Sequence, residues 1–171
     1  SGVVLAEAAR ALAAAGADFL VACTNTMHKV AGAIEEAVDI PLLHIADPTA
    51  EAIAQAGLRR VGLLGPRFAM EEDFYRQRLH AHHGIETLVP PQDDRNDVHR
   101  IIYDELCVGV ISDDSREIYR QVIARLVERG AEAIILGCTE IGLLVGPRDS
   151  SVPLFDTAHL HARSAALRAL A

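Results

Sequence analysis

The chain has 171 residues, of which 50% are hydrophobic and 23% charged, and its formal net charge is −8. These values fit one globular domain or two small lobes and exclude an intrinsically disordered chain. The acidic balance argues against nucleic-acid binding, which needs a basic face to displace counterions from phosphates. No apolar run approaches the roughly 20 residues that span a bilayer. Three cysteines without a disulfide framework predict a cytoplasmic protein.

Helical and strand patterns alternate along the whole chain. Apolar residues spaced by three and four favour helices, and short continuous apolar runs favour buried strands. Strands that alternate with helices imply parallel pairing through right-handed crossovers, so the sequence predicts the α/β class. The predicted helices span residues 3–15, 27–37, 48–56, 68–82, 98–107, 112–129 and 158–170. The predicted strands span residues 19–22, 41–45, 60–64, 85–89, 133–136 and 153–155.

Several local expectations accompany these elements. The strand at 19–22 reads as covered on both faces. Asp47 is expected to cap the helix that Pro48 opens, and the polar residues 92–97 are expected to form a solvated acidic loop. Cys107 is expected to be buried on an apolar helix face.

One internal repeat is visible. The segment from Gly16 to Thr24 resembles the segment from Gly130 to Cys138, and each follows a helix with leucine four residues before the glycine. Aligned on the glycines, the eighth following position is Thr24 in the first copy and Cys138 in the second. The repeat predicts two related α/β lobes that face one another, and chance similarity is the alternative.

The ends of the two repeated strands carry polar and nucleophilic side chains. In open α/β sheets, ligands bind outside the carboxyl ends of the strands. Cys138 precedes a predicted short helix, whose dipole is expected to favour the thiolate, and Thr139 is a candidate cap for that helix. Cys23 and Thr24 are adjacent in an extended segment, so they should point to opposite sides.

Two motifs together identify a family. The segment Ala22-Cys23-Thr24-Asn25-Thr26-Met27-His28, combined with Gly137-Cys138-Thr139-Glu140, resembles the aspartate/glutamate racemase family, whose members use no pyridoxal phosphate. The resemblance spans nearly the whole chain, including the segments at 44–47 and 101–106. Glutamate racemases typically have histidine in place of Glu140, so the motif indicates the aspartate-racemase branch.

The resemblance implies a fold of two pseudo-symmetric lobes with parallel sheets and the substrate between them. Residues 1–44, to which 155–171 return, would form the first lobe without its usual N-terminal strand, and 45–154 would form the second. It also implies a homodimer that needs no cofactor and no metal, and an isomerase that racemises an acidic amino acid.

The family mechanism needs one acid/base group on each face of the substrate Cα. Carried over by motif, Cys138 is the second-lobe group and Thr24 the first-lobe group, at a position that is usually a cysteine. A hydroxyl is a far weaker acid than a thiol, so the site would be asymmetric. Asn25, Thr26 and Thr139 match the substrate-holding residues; the alternative for Asn25 and Thr26 is that they only shape the turn and cap the next helix.

Two departures from the family pattern affect the expected function. Family members begin with a strand and a glycine-rich loop ahead of the segment that matches residue 1, and that loop carries substrate contacts. The family's Gly-Thr-x-x-Thr is here Gly65-Pro66-Arg67-Phe68-Ala69, so both hydroxyls are lost and Arg67 is a candidate carboxylate ligand instead. The alternatives are therefore a one-cysteine relative, such as a decarboxylase or a cis–trans isomerase of a dicarboxylic acid, or a non-catalytic module that binds small acids.

The remaining histidines are not assigned to a metal site. The cluster at 80–83 lies at a predicted helix C-terminus, where histidines interact favourably with the dipole. His159 and His161 are two residues apart on a helix and do not share a face.

Overall fold

The computed structural model describes all residues from 1 to 171 and contains nine α-helices and six β-strands. The helices are α1 (Gly2–Ala14), α2 (Ala31–Glu35), α3 (Ala46–Gln55), α4 (Arg67–Glu71), α5 (Asp73–His83), α6 (Gln92–Asp104), α7 (Asp113–Glu128), α8 (Ile141–Leu144) and α9 (Thr157–Ala169). The strands are β1 (Leu20–Val21), β2 (Leu42–Leu43), β3 (Arg60–Leu64), β4 (Glu86–Leu88), β5 (Ala133–Leu136) and β6 (Leu154–Asp156). Short 3-10 helices cover Thr26–Val30, Leu106–Val108 and Pro147–Asp149.

The strands form two parallel sheets, as the α/β prediction requires. β1 pairs with β2, and the larger sheet has the order β4-β3-β5-β6. Leu64, Leu136 and Asp156 are in register across β3, β5 and β6. The carboxyl ends of three strands therefore meet at one edge, and the loops that follow them lie side by side.

The larger sheet is buried on both faces. Alternate residues of β5 enter different apolar clusters: Ile134 and Leu136 belong to the 17-residue cluster that includes α6 and α7. Ala133 and Ile135 belong to the 11-residue cluster that includes α3 and α5. Each face of β5 thus packs against helices, which explains the continuous apolar run in its sequence.

The smaller sheet is covered less completely. Leu20 packs in a small cluster with Ala9 and Ile34, whereas Val21 is 37% exposed. The expectation that strand 19–22 is covered on both faces is therefore wrong at Val21. Its side chain points to the face opposite Leu20, and the Leu20 cluster does not cover that face. No helix combines the length and hydropathy needed to cross a membrane.

The two copies of the internal repeat fold alike at their helix ends. Gly16 and Gly130 have φ of +90° and +94°, in the region that favours glycine. The amide after each glycine donates to the carbonyl of the repeat leucine, Ala17 to Leu12 at 3.1 Å and Ala131 to Leu126 at 3.0 Å. These bonds form a Schellman motif at the end of α1 and of α7. The sequence similarity therefore reflects the same helix–turn–strand geometry.

Two of the helix starts differ from the predictions. α3 begins at Ala46, with Ile45 at the N-cap position. Asp47 lies inside its first turn and receives two hydrogen bonds from Arg78, at 2.6 and 2.7 Å. Residues 92–97 form the first turns of α6, not a loop, and Asp94 accepts two bonds from Arg125 at 2.8 Å. In both cases an arginine from another helix forms an ion pair with the carboxylate. The sequence had suggested a capping role for Asp47 and a solvated position for Asp94.

Two further expectations also fail. The single helix predicted over 68–82 is two helices, because the backbone at Glu72 is extended between α4 and α5. Cys107 lies in the 3-10 helix after α6 and is exposed. The apolar period of α6 ends before Cys107, so the buried position predicted for its side chain does not exist.

Candidate active site

The loops that follow β1 and β5 are joined by a chain of side-chain hydrogen bonds. The Asn25 Nδ2 donates to Thr157 Oγ1 at 2.9 Å, and this hydroxyl donates to the carbonyl oxygen of Leu136 at 2.8 Å. Asn25, Thr157 and Leu136 are all buried. The bridge holds the segment that contains Thr24 against the segment that contains Cys138.

The loop after β5 is pressed against the end of β3. The amide of Gly137 donates to the carbonyl of Leu64 at 2.6 Å. A Cβ at Gly137 would lie 2.8 Å from Leu63 Cδ1 and 3.0 Å from the Leu64 carbonyl oxygen. The backbone can approach β3 this closely only because residue 137 has no side chain. This contact fixes the backbone position from which the Cys138 side chain projects.

Cys138 is a buried thiol that donates to a carboxylate. Its Sγ is 2.9 Å from Glu140 Oε2, and the residue is 8% exposed. Burial, followed by the hydrogen bond to Glu140, raises the pKa of Cys138 to about 12. The expectation that a helix dipole favours the thiolate is therefore wrong. α8 has only 4 residues, begins at Ile141, and does not offset burial and a neighbouring anion.

Glu140 indicated the aspartate-racemase branch from the sequence, but the sequence did not predict a chemical role for it. Burial alone would raise the pKa of its carboxyl, but hydrogen bonds from Cys138 and Thr139 outweigh burial and lower it. Thr139 Oγ1 donates to the same oxygen at 2.7 Å, so it does not cap α8. The arrangement is a carboxylate that accepts from a thiol and a hydroxyl. Its signal in the sequence was the Glu at the end of the Gly-Cys-Thr-Glu motif.

Thr24 is half-buried, and its neighbour Cys23 is exposed. The two side chains differ in exposure, as expected for adjacent residues in an extended segment. The Thr24 carbonyl accepts from His28 Nδ1 at 2.6 Å. Thr26 is half-buried at the start of the following 3-10 helix.

In the side-chain amide of Asn25, one polar atom has a hydrogen-bond partner and the other does not. Its Nδ2 is used by Thr157, whereas its Oδ1 is buried and has no hydrogen-bond partner. Asn25 lies at the N-cap position of the 3-10 helix, but its side chain makes no capping bond. Its side chain therefore does not act as a simple cap, and an acceptor remains free for a donor brought by a ligand.

Three buried histidines surround the start of α3 and were not predicted as a group. The His28 and His44 ring centroids are 4.2 Å apart, and His161 lies 6.1 Å from His28. Burial lowers the pKa of His28 to about 4 and that of His44 to about 3, and it also lowers that of His161. No group of three histidine, cysteine or acidic side chains is arranged to hold a metal ion. The signal for His161 was its spacing of four from Thr157 on the buried face of α9.

Tyr103 lies near Cys138 and Cys107, and the Arg67 amide donates to His99, whose ring is next to that of Tyr103. Burial raises the pKa of Tyr103, and the proximity of Cys138, Cys107 and Glu140 raises it further. The Arg67 guanidinium donates to Asn96 at 3.3 Å.

A surface groove lined by Arg116, Arg120 and the segment 142–149 includes neither Thr24 nor Cys138. The candidate site is defined by the convergence of the loops that follow β1 and β5.

The sheet topology, the paired strand ends and the Cys-Thr-Glu loop define a protein of the Asp/Glu/hydantoin racemase family. Residues 1–165 match that family's model, and the chain belongs to it. The chain superimposes with TM-score 0.94 on a candidate Asp/Glu racemase from Yersinia pestis, at 55% identity, covering 99% of this chain and 74% of that one. An aspartate racemase homologue from Pyrococcus horikoshii gives 0.88 at 36% identity, over 99% and 74%. The aspartate racemase of Picrophilus torridus gives 0.70 at 22% identity, over 95% and 68%, and supports the fold alone.

Proposed function

We propose that this protein racemises an acidic amino acid, aspartate or glutamate, without a cofactor. Cys138 would act on one face of the substrate Cα and Thr24 on the other. The substrate would lie between two pseudo-symmetric lobes, residues 1–44 with 155–171 returning to them and residues 45–154. A homodimer is the expected assembly.

One observation carries the proposal most directly. The Asn25–Thr157–Leu136 hydrogen bonds tie the loop of the candidate first-lobe group to the loop of the second. A two-base racemase needs its groups held on opposite sides of one carbon atom, and a buried polar bridge supplies that rigidity. Membership of the racemase family supports the same conclusion.

The resting state of Cys138 determines how its side of the reaction works. The thiol must first lose its proton to remove one from Cα, and Glu140, which accepts its hydrogen bond, is the nearest acceptor. This transfer is uphill, because the pKa of Cys138 is raised and that of Glu140 is lowered, so the thiolate is a minor form. The thiolate then removes the Cα proton, and the Thr24 hydroxyl returns one to the opposite face. The resulting alkoxide regains its proton from water. In the reverse direction Thr24 must first lose its hydroxyl proton to water and act as the alkoxide. This side is slow because the high pKa of a hydroxyl keeps the alkoxide scarce.

Substrate contacts follow from the groups left free. The Asn25 Oδ1 is a buried acceptor without a partner, so it suits the α-ammonium of an amino acid better than a carboxylate. Thr26 supplies a hydroxyl donor that suits a carboxylate. The Thr139 hydroxyl is taken by Glu140, so Thr139 offers its backbone amide instead. Arg67, one turn beyond the end of β3, is a candidate for the distal carboxylate.

The test is solvent-deuterium incorporation at Cα of D- and L-aspartate and D- and L-glutamate. We expect fast exchange of one enantiomer, which Cys138→Ala abolishes, and slow exchange of the other, which Thr24→Val abolishes. Cys23→Ala, beside Thr24 but exposed, is the matched control and should exchange like the parent. Equal exchange of both enantiomers would refute the asymmetry, and exchange that survives Cys138→Ala would refute the site.

A second function is favoured by a specific observation. Of the three cysteines only Cys138 is buried, and a single thiol suits delivery of a proton to one face only. A decarboxylase or a cis–trans isomerase of a dicarboxylic acid would use it in this way. Incubation with a prochiral malonate separates the decarboxylase from the racemase, because a one-sided donor gives a single enantiomer of the product and the racemase leaves the malonate unchanged. Incubation with a cis-unsaturated dicarboxylic acid tests the isomerase in the same way, because only the isomerase forms the trans product.

A further inference from the structure

We infer that His28 is a positioning residue for Thr24. This inference rests on the proposed function, in which Thr24 is the weaker of the two acid/base groups. His28 would not touch the substrate. It would fix the backbone that carries Thr24, so that a hydroxyl of poor intrinsic reactivity is at least held in the right place.

The hydrogen bonds of His28 define this role. Its Nδ1 lies 2.6 Å from the Thr24 carbonyl oxygen, which can only accept, so Nδ1 carries the proton. Its Nε2 accepts from the Ile45 amide at 3.1 Å. The imidazole thus joins the loop after β1 to the start of α3 with both ring nitrogens satisfied. His28 is 3% exposed, so water does not compete for either bond.

The surroundings keep this ring neutral. His44 and His161 face it edge-on at 4.2 and 6.1 Å, and Arg78 and Asp47, paired with each other, are the nearby charges. The other two histidines also bind backbone: His44 Nδ1 accepts from Ala46, and His161 Nε2 donates to Leu43. A proton on Nε2 of His28 would remove the acceptor for Ile45. The link that His28 forms between Thr24 and Ile45, called the tether below, is therefore a neutral imidazole in one tautomer.

Two substitutions separate the halves of the tether. In His28→Asn the amide NH₂ can occupy the place of Nδ1 and still donate to Thr24, but the contact to Ile45 is lost. In His28→Gln the longer side chain can place an oxygen near the position of Nε2 and still accept from Ile45, but the donor to Thr24 is lost. His44→Asn is the matched control, because His44 is equally buried and makes no bond to Thr24.

The experiment compares deuterium exchange of the two substrate enantiomers in these variants. The enantiomer whose exchange is abolished by Thr24→Val reports the Thr24 side of the reaction, and the other enantiomer reports the Cys138 side. We expect His28→Gln to slow the Thr24 side on the order of tenfold or more relative to the Cys138 side. His44→Asn should change the two sides by similar factors. His28→Asn keeps the bond to Thr24 but loses the one to Ile45, so it should slow the Thr24 side less than His28→Gln does. A purely structural role would instead slow both sides equally in His28→Gln, and this result would overturn the inference.

Backbone amide exchange provides a readout that does not depend on turnover. In His28→Gln the amides of residues 24–30 should exchange faster than in the parent, while those of 42–50 should not. Unchanged exchange at 24–30 would overturn the inference. If the parent protein exchanges no acidic amino acid at all, the proposed function fails, and the amide data alone then decide whether His28 holds the Thr24 loop.

Discussion

The side chains of Asn25 and Thr157 meet at 2.9 Å although 132 residues separate them in the chain. The Thr157 hydroxyl is wholly buried, accepts from Asn25 and donates to the Leu136 carbonyl. One hydroxyl therefore connects the loop after β1, the end of β5 and the start of α9. This hydroxyl is therefore a direct link between the segments that contain Thr24 and Cys138.

The first prediction is that Thr157→Val destabilises the protein and reduces turnover together. The change keeps the shape of the side chain but leaves Asn25 Nδ2 and the Leu136 carbonyl buried without partners. Each such orphan costs about 1–3 kcal/mol. Urea unfolding followed by circular dichroism measures the free energy of unfolding, and racemisation of aspartate measures turnover.

Thr157→Ser is the control for this prediction, because serine keeps the hydroxyl. It should recover most of the stability and turnover lost in Thr157→Val. A valine variant as stable and active as the parent would show that the bridge contributes little.

The second prediction concerns the acidity of Cys138. Glu140 raises the pKa of that thiol by accepting its hydrogen bond and by repelling the thiolate. Glu140→Gln removes the negative charge, so the pKa of Cys138 should fall and the thiol should react at lower pH. The measurement is the rate of iodoacetamide alkylation against pH.

The exposed Cys23 and Cys107 would obscure that measurement. Both are therefore replaced by alanine in the parent and in the Glu140→Gln protein. Glu140→Asp keeps the charge and should leave the thiol unreactive near neutral pH. A pH profile that does not move in Glu140→Gln would mean that burial alone sets the pKa. The same variant should lose turnover, because Gln cannot accept the thiol proton.

The sequence predicted the parts of the fold that depend on local patterns. The glycine after each repeat helix and the apolar run of β5 both reflect local rules of capping and strand burial. The direction of the Cys138 pKa shift was wrong because it depends on how deeply the loop is buried and on where the Glu140 side chain turns. Thr157 and His161 were missed because their partners, Asn25 and Leu43, are more than a hundred residues away.

The third prediction is loss of stability in mild acid. His28 and His44 are neutral in the folded protein, with pKa values lowered to about 4 and about 3. The unfolded chain binds protons on these residues below about pH 6.5, whereas the folded chain does not. Stability should therefore be constant above pH 6.5 and fall between pH 6.5 and 4, by about 1.4 kcal/mol per pH unit for each histidine fully protonated only in the unfolded state.

Chemical unfolding at a series of pH values checks this slope. A His28→Asn, His44→Asn double variant removes both groups, so its stability should vary less over the same range even though it is lower overall. His159→Asn, at an exposed position on α9, is the control for replacing a histidine outside the buried group. A parent protein with flat stability between pH 6.5 and 4 would contradict the prediction.

The fourth prediction tests the close approach of β5 to β3. In Gly137→Ala the new methyl would lie 2.8 Å from Leu63 Cδ1 and 3.0 Å from the Leu64 carbonyl oxygen. The leucine side chain can move, but the carbonyl belongs to a central strand, so the loop must shift outward and take Cys138 with it. We expect a cost of about 1–3 kcal/mol, as for other overpacked cores, and a larger proportional loss of exchange on the Cys138 side than on the Thr24 side.

Gly32→Ala is the matched substitution, since Gly32 lies in α2 with nothing within 4 Å of an added Cβ. Alanine there should stabilise the protein by about 0.5–1 kcal/mol, because glycine is a poor helix former. The opposite signs of the two glycine-to-alanine changes isolate the contact at Gly137 from the general effect of removing glycine. A Gly137→Ala protein that exchanges both enantiomers like the parent would show that the loop can carry Cys138 to the same place without resting against β3.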